Sequence, residues 1–195
     1  MILYYAPGAC SLADHIALHE AGLSFDRVKV DLRSHTTEDG RDFRAINPKG
    51  YVPALVLDGG ELLTENIAIL GWIADQTSPF APAGKLGRYR LLEALAFIST
   101  EIHKSFKPFF APGATDADKT AAGAAITKRL DFLAGQIDGD YLFGPKVTVA
   151  DAYLFVMLTW AKRNALEIPG ALTAYAERMR ARRAVQLALQ HEGLA

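Results

Sequence analysis

A short apolar run, Met1-Ile2-Leu3-Tyr4-Tyr5, opens the chain, and after it Leu12, Ala13, Ile16 and Ala17 recur at helical spacing. Ser11 and Asp14 form an S-x-x-D capping signature, which starts the helix right after Cys10, and Gly22 suits the position just past its end. Phe25 to Leu32 then alternates, with Val28 and Val30 on one face and Lys29 and Asp31 on the other, as a half-buried strand does. A right-handed crossover makes the two strands parallel.

Residues 33–50 are polar and carry Gly40, Pro48 and Gly50, so a loop is expected with at most a short helix around Arg41 to Ile46. Leu55-Val56-Leu57, Asp58-Gly59-Gly60 and Glu61-Leu62-Leu63 read as two strands and a tight turn. A helix follows from about Glu65 to Asp75, with Ile67, Leu70, Ile73 and Ala74 inward and its cap among Thr64, Glu65 and Asn66. The order β-α-β, loop, β-β-α fills residues 1–76, and 77–84, with Pro79 and Pro82, has linker composition. Residues 85–195 read as all-helical. Leu91, Leu95, Ile98, Ile102 and Phe106 repeat at helical spacing, as do Ile126, Leu130, Leu133 and Ile137. Thr148 and Asp151 form a capping box before a helix carrying Leu154, Phe155, Leu158 and Trp160, and a last amphipathic stretch runs from about Leu172 to Arg182.

Composition narrows the chemistry. The formal charge of -1, from 21 basic and 22 acidic side chains, builds in no attraction to nucleic acid. One cysteine excludes an intrachain disulfide framework and any multi-cysteine metal site, so no metal is expected, and it suits a reducing compartment. The first residues hold no signal-peptide pattern and no apolar run is long enough to span a bilayer, so a soluble cytoplasmic protein without a membrane partner is expected.

Two positions carry candidate chemistry of their own. Cys10 sits at a helix N-terminus, where unpartnered amides favour a thiolate, so its pKa is expected below about 8.5; a lone cysteine reads equally well as a small buried hydrophobe. Pro53 belongs at a strand start or edge, and a cis Val52-Pro53 bond would turn the Val52 amide and carbonyl toward a ligand.

These features occur together with N-P-K-G-Y-V-P-A-L at 47–55 and T-E-N at 64–66, and the combination resembles the glutathione transferase family over essentially the whole chain. Y-Y-A-P-G-A-C-S-L at 4–12, V-D-L at 30–32, E-I-H-K-S-F at 101–106 and V-A-D-A-Y-L-F at 149–155 look most like its bacterial beta class. The resemblance implies a thioredoxin-like α/β N-terminal domain, an all-α C-terminal domain contributing the second-substrate site, and a homodimer. It implies glutathione as co-substrate, with Cys10 facing its sulfur and His103 as the second catalytic residue. Val52, positioned by a cis Pro53, would bond the cysteinyl backbone of glutathione, and Glu65 and Asn66 would receive the γ-glutamyl end. Tyr5, His35, Thr100 and Lys104 complete the implied glutathione-binding set. The chain departs from the usual pattern at Asn66 (serine), Ala96 (asparagine) and His35 (lysine). Phe106, Phe109, Phe110 and Trp160 are candidates for an apolar wall that takes a small hydrophobic electrophile.

The expected activity is glutathione conjugation in detoxification or catabolism. A glutathione-dependent monothiol thiol-disulfide reductase using Cys10 is the first alternative, because no resolving cysteine exists. A non-catalytic interaction module on the same fold is the second.

Overall fold

The computed structural model describes residues 1–77, 81–137 and 139–195, so residues 78–80 of the expected linker lie outside the described residues. The chain divides into two units, one formed by Met1–Ser78 with Ala181–Ala195 and the other by Pro79–Arg180.

The first unit begins β1 (Ile2–Tyr5), α1 (Leu12–Glu20), β2 (Asp26–Asp31), and its strands β1 and β2 are parallel, as a crossover through one helix requires. Strands β4 (Ala54–Val56) and β5 (Leu62–Thr64) form the expected hairpin around Asp58-Gly59-Gly60, with Val56 opposite Leu62. A two-residue strand, β3 (Thr36–Thr37), adds an edge that the hydrophobic pattern did not reveal, giving the order β3-β2-β1-β4-β5. The short helix expected near 41–46 is a single 3-10 turn, Phe43–Ala45. Alternation along the strands gives the sheet two apolar faces. Tyr4, Val30, Phe43, Val52 and Ala54 pack together on one of them.

Helix α1 ends in a Schellman arrangement: Gly22, at φ +65°, donates to the His19 carbonyl, and Leu23 donates to that of Leu18. Its start differs from expectation. The Ser11 hydroxyl bonds the Ala6 backbone instead of capping the helix, and Asp14 is fully buried, so no Ser11–Asp14 capping box forms. Every residue from Leu12 to Leu18 is buried. The cause is α8 (Arg183–His191), which packs on α1 together with α2 (Asn66–Gln76). The helical domain expected over 85–195 is corrected here, because α8 belongs to the first unit. Its Ala184, Val185, Ala188 and Leu189 are buried, and Arg182, just before it, holds Glu20 of α1 at 2.8 Å. At its far end Glu192 accepts from the Gly8 amide at 2.8 Å and meets His15 Nδ1 at 2.9 Å. Burial holds the His15 imidazole down at about 3, so this contact is a hydrogen bond rather than an ion pair.

The second unit is helical: α3 (Gly87–Phe97), α4 (Lys107–Phe110), α5 (Asp116–Ala134), α6 (Val149–Arg163) and α7 (Gly170–Ala181). Leu91, Leu95, Ile98, Ile102 and Phe106 are fully buried, as their spacing implies. The helix carrying them is not uniform, however. A π turn (Ile98–Ile102) and a 3-10 turn (His103–Phe106) separate α3 from α4. Pro108 accounts for the second, since it has no N–H for the Lys104 carbonyl and the Lys107 amide takes that carbonyl instead. The Ile126–Leu130–Leu133 stripe lies on α5, which ends before Ile137 and opens with a Thr115–Asp118 capping box.

The capping box of α6 forms as its sequence implies. Asp151 accepts from the Thr148 amide and hydroxyl, both at 2.7 Å, from the Leu142 amide at 2.9 Å and from the Tyr175 hydroxyl at 2.8 Å. Asp151→Ala leaves these buried donors unpaired, each at a cost of about 1–3 kcal/mol. Urea denaturation is expected to show a loss of at least about 3 kcal/mol, with Asp151→Asn retaining part of it.

Candidate active site

In the first unit, three of the implied glutathione residues come together from separate segments. The Cys10 Sγ, at the entrance of α1, lies 3.5 Å from the Val52 carbonyl, and the Asn66 side-chain amide donates to the Cys10 carbonyl at 3.2 Å. The Val52-Pro53 bond is cis. Asn66 is nearly buried at the first position of α2, and its Oδ1 accepts from no group among the described residues.

Glu65 precedes it at φ +75°, a conformation that side-chain-bearing residues rarely adopt, and its carboxylate bonds the Lys49 ammonium and the Tyr51 hydroxyl, the latter at 2.7 Å. Those two partners, Lys49 first, hold the Glu65 carboxyl below the usual range. Lys49 and Tyr51 are site neighbours that the sequence reading missed, although both lie inside the 47–55 motif. Their pairing with Glu65 follows from the turn that brings 49–51 against 64–65. His35 donates from Nδ1 to the Gly50 carbonyl at 2.9 Å, and its ring stands 3.2 Å from where a Cβ on Gly50 would be. Gly50, at φ +72°, therefore suits that close approach as well as the backbone. Tyr5 is buried with its ring 5.7 Å from that of His15.

The Cys10 expectation is corrected. The amides of Cys10 and Ser11 do favour the thiolate, as the helix-end argument holds. Burial outweighs them and pushes the thiol up to about 12. Cys10 is thus a neutral S–H donor at neutral pH, facing the Val52 carbonyl. Alkylation by iodoacetamide at pH 8 is expected to be much slower for native protein than for protein in denaturant, by intact mass.

The remaining candidates belong to the second unit. His103 Nδ1 meets the hydroxyl of fully buried Tyr153 at 2.6 Å, and its ring stacks edge-on against Trp160 at 5.0 Å. Tyr153 was not singled out by sequence, because a tyrosine in an apolar helix reads as core. Trp160 lies 5.4 Å from Phe106 and 4.9 Å from Phe110, and Phe106 lies 5.9 Å from Phe109, so all four aromatic candidates form one cluster. Their roles divide by exposure. Phe106 is fully buried and supports the others from behind, a correction to its expected place in a substrate wall, whereas Phe110 is 47% exposed. Thr100 and Lys104 are exposed, and the Thr100 hydroxyl donates to the Ala96 carbonyl at 3.0 Å.

The sequence matches the family model for the glutathione S-transferase N-terminal domain over residues 9–76 and that for the C-terminal domain over 97–183. The chain belongs to the glutathione S-transferase family. Glutathione S-transferase GstA of Escherichia coli O157:H7 is 44% identical over the full length of both chains. Among solved structures, a sphingomonad glutathione S-transferase complexed with glutathione is similar at 50% identity and TM-score 0.93, covering both chains fully. The bacterial beta class glutathione S-transferase of Sphingomonas chungbukensis is similar at 48% identity and TM-score 0.92, also over both chains. Among the described residues no helix is long and apolar enough to cross a membrane.

Burial also sets the state of His103 in this glutathione S-transferase, lowering its pKa to about 4. A base whose folded pKa lies below its unfolded value of about 6.5 binds fewer protons when folded. The His103 contribution therefore favours unfolding as pH falls from 6.5 toward 4. Proton NMR of the His103 ring is expected to show a neutral imidazole from pH 5.5 to 8 and a midpoint near 4.

Proposed function

We propose that this glutathione S-transferase conjugates glutathione to small hydrophobic electrophiles as a cytoplasmic homodimer, with the peptide held on its first unit. The observation that carries the reading is the convergence of Cys10, Val52 and Asn66, from three separate segments, at the N-terminal ends of α1 and α2. The Val52 peptide offers an N–H and a carbonyl to the cysteinyl backbone of glutathione in the manner of an added strand. Free amides at the start of α2 suit the γ-glutamyl carboxylate.

The ligand's ammonium competes with Lys49 for Glu65. Both side chains of that pair are about half exposed, and an exposed ion pair is weak enough to open. His35, tied to the Gly50 carbonyl, replaces a lysine's mobile charge with a fixed ring.

Conjugation requires the glutathione thiol to lose its proton to solvent, after which the thiolate forms a carbon–sulfur bond and the electrophile's leaving group departs with the electron pair. Lowering that thiol's pKa by two units takes about 2.7 kcal/mol. The neutral Cys10 S–H and the amides at the start of α1 are donors to such a sulfur. His103, to which the resemblance assigns a catalytic role, is a neutral imidazole and would act by hydrogen bonding rather than by charge. The exposed ring of Phe110, backed by Trp160 and Phe106, supplies apolar surface for the electrophile.

A thiol held near 12 disfavours the monothiol reductase, which needs a Cys10 thiolate to attack a disulfide. The test combines three measurements on the intact protein: retention on immobilised glutathione, formation of the thioether from glutathione and 1-chloro-2,4-dinitrobenzene, and mass by light scattering. Binding, conjugation and a dimer mass are expected. Binding without conjugation favours the non-catalytic module; reduction of a glutathione mixed disulfide that Cys10→Ala abolishes favours the reductase.

A further inference from the structure

Three of the five histidines converge in the first unit, apart from Cys10, Val52 and Asn66, with Tyr5 as the one implied glutathione residue in ring contact with them. His15 and His19 stand one turn apart on α1, and His191 closes α8. The nitrogen His191 Nδ1 lies 3.3 Å from His19 Nε2 and 3.4 Å from His15 Nε2, and the ligand atoms of all three lie within 4.8 Å of one another.

Hydrogen bonding alone serves this arrangement poorly. In its ionised form the Glu192 carboxylate at 2.9 Å holds the His15 proton on Nδ1, which leaves a lone pair on Nε2 facing its neighbours. His191 Nδ1 carries either one proton or one lone pair, so it cannot satisfy both His15 and His19 along linear hydrogen bonds. A cation at the centre accepts all three lone pairs.

Two of the three spacings fit zinc as they stand. Tetrahedral zinc with Zn–N bonds of about 2.0–2.1 Å separates its nitrogens by about 3.3–3.4 Å, the spacing of both His191 contacts, while the His15 and His19 nitrogens, within 4.8 Å, would draw together on the ion. His15 has in addition the outer carboxylate that metal-bound histidines typically have, since Glu192 grips the nitrogen facing away from the cluster and is itself held by the Gly8 amide. Phe25 walls the site, edge-on to His15 at 5.6 Å and 5.0 Å from His19. The charges facing the rings are the Arg27 guanidinium, which opposes a cation, and the Glu192 carboxylate, which offsets it. His19 also borders an open cleft with Arg182 and Leu187.

We propose that His15, His19 and His191 form a binding site for a divalent transition-metal ion, zinc by dimension, with Glu192 orienting His15 from behind. The ion would join α8 to α1. The absence of a second cysteine, from which no metal was expected, has no bearing on an all-imidazole site.

Protein stripped with EDTA and titrated with Zn2+ against a chromophoric chelator is expected to take up one ion per chain. His19→Ala and His191→Ala, both half-buried positions, are expected to weaken uptake at least tenfold, while His35→Ala leaves it intact, with circular dichroism checking that each variant folds. X-ray absorption on the zinc-loaded wild type needs no variant, and is expected to show imidazole nitrogens at about 2.0–2.1 Å and no sulfur. No uptake, uptake insensitive to both alanine variants, or a sulfur neighbour from Cys10 would each overturn the site.

Discussion

Helix α1 is covered on every side along its first seven residues, and the chemistry of the first unit follows from that constraint. Its residues from Leu12 to Leu18 are all buried, including Asp14 and His15. Taking a charged group out of water disfavours the charged form, so burial raises the Asp14 carboxyl well above its usual range, lowers the His15 imidazole and raises the Cys10 thiol. A helix N-terminus ordinarily favours a thiolate. Here the partial charge of a few amides competes with desolvation, and desolvation is the larger effect.

The second unit uses the same economy of charge. His103 is neutral because it is buried, and its Nδ1 is engaged by a tyrosine that is buried more deeply still. Asp151 is surrounded by four donors from Thr148, Leu142 and Tyr175, so the start of α6 is fixed by directional bonds. Because α6 also carries Tyr153 and Trp160, this cap fixes the position of the groups that contact His103. On the first unit the contrast is Glu65, whose charge survives because it is exposed and already has partners.

What could be read from the sequence was what local chemistry decides. The parallel β1-α1-β2 unit, the Asp58-Gly59 hairpin, the α2 start at Glu65 and Asn66 and the Thr148–Asp151 box all depend on residues close together along the chain. Cys10, Val52 and Asn66 come from separate segments, and only the family order of their motifs suggested them together. The missed features depend on distant partners. Helix α8 was assigned to the wrong unit because its apolar stripe does not say what it packs against. The Ser11–Asp14 pair looked like a cap because burial by α8 cannot be seen from α1 alone. The turns between α3 and α4 kept their apolar residues buried while changing backbone period, so spacing that fitted a uniform helix concealed a π turn.

The return of residues 181–195 to the first unit has a consequence for synthesis. A chain emerges from the ribosome N-terminus first and its domains generally fold as units. Here residues 79–180 are all available before the segment that covers α1 has been made. The helical unit can close while the N-terminal unit still exposes Asp14 and His15, so the part of the protein translated first is the last to be completed.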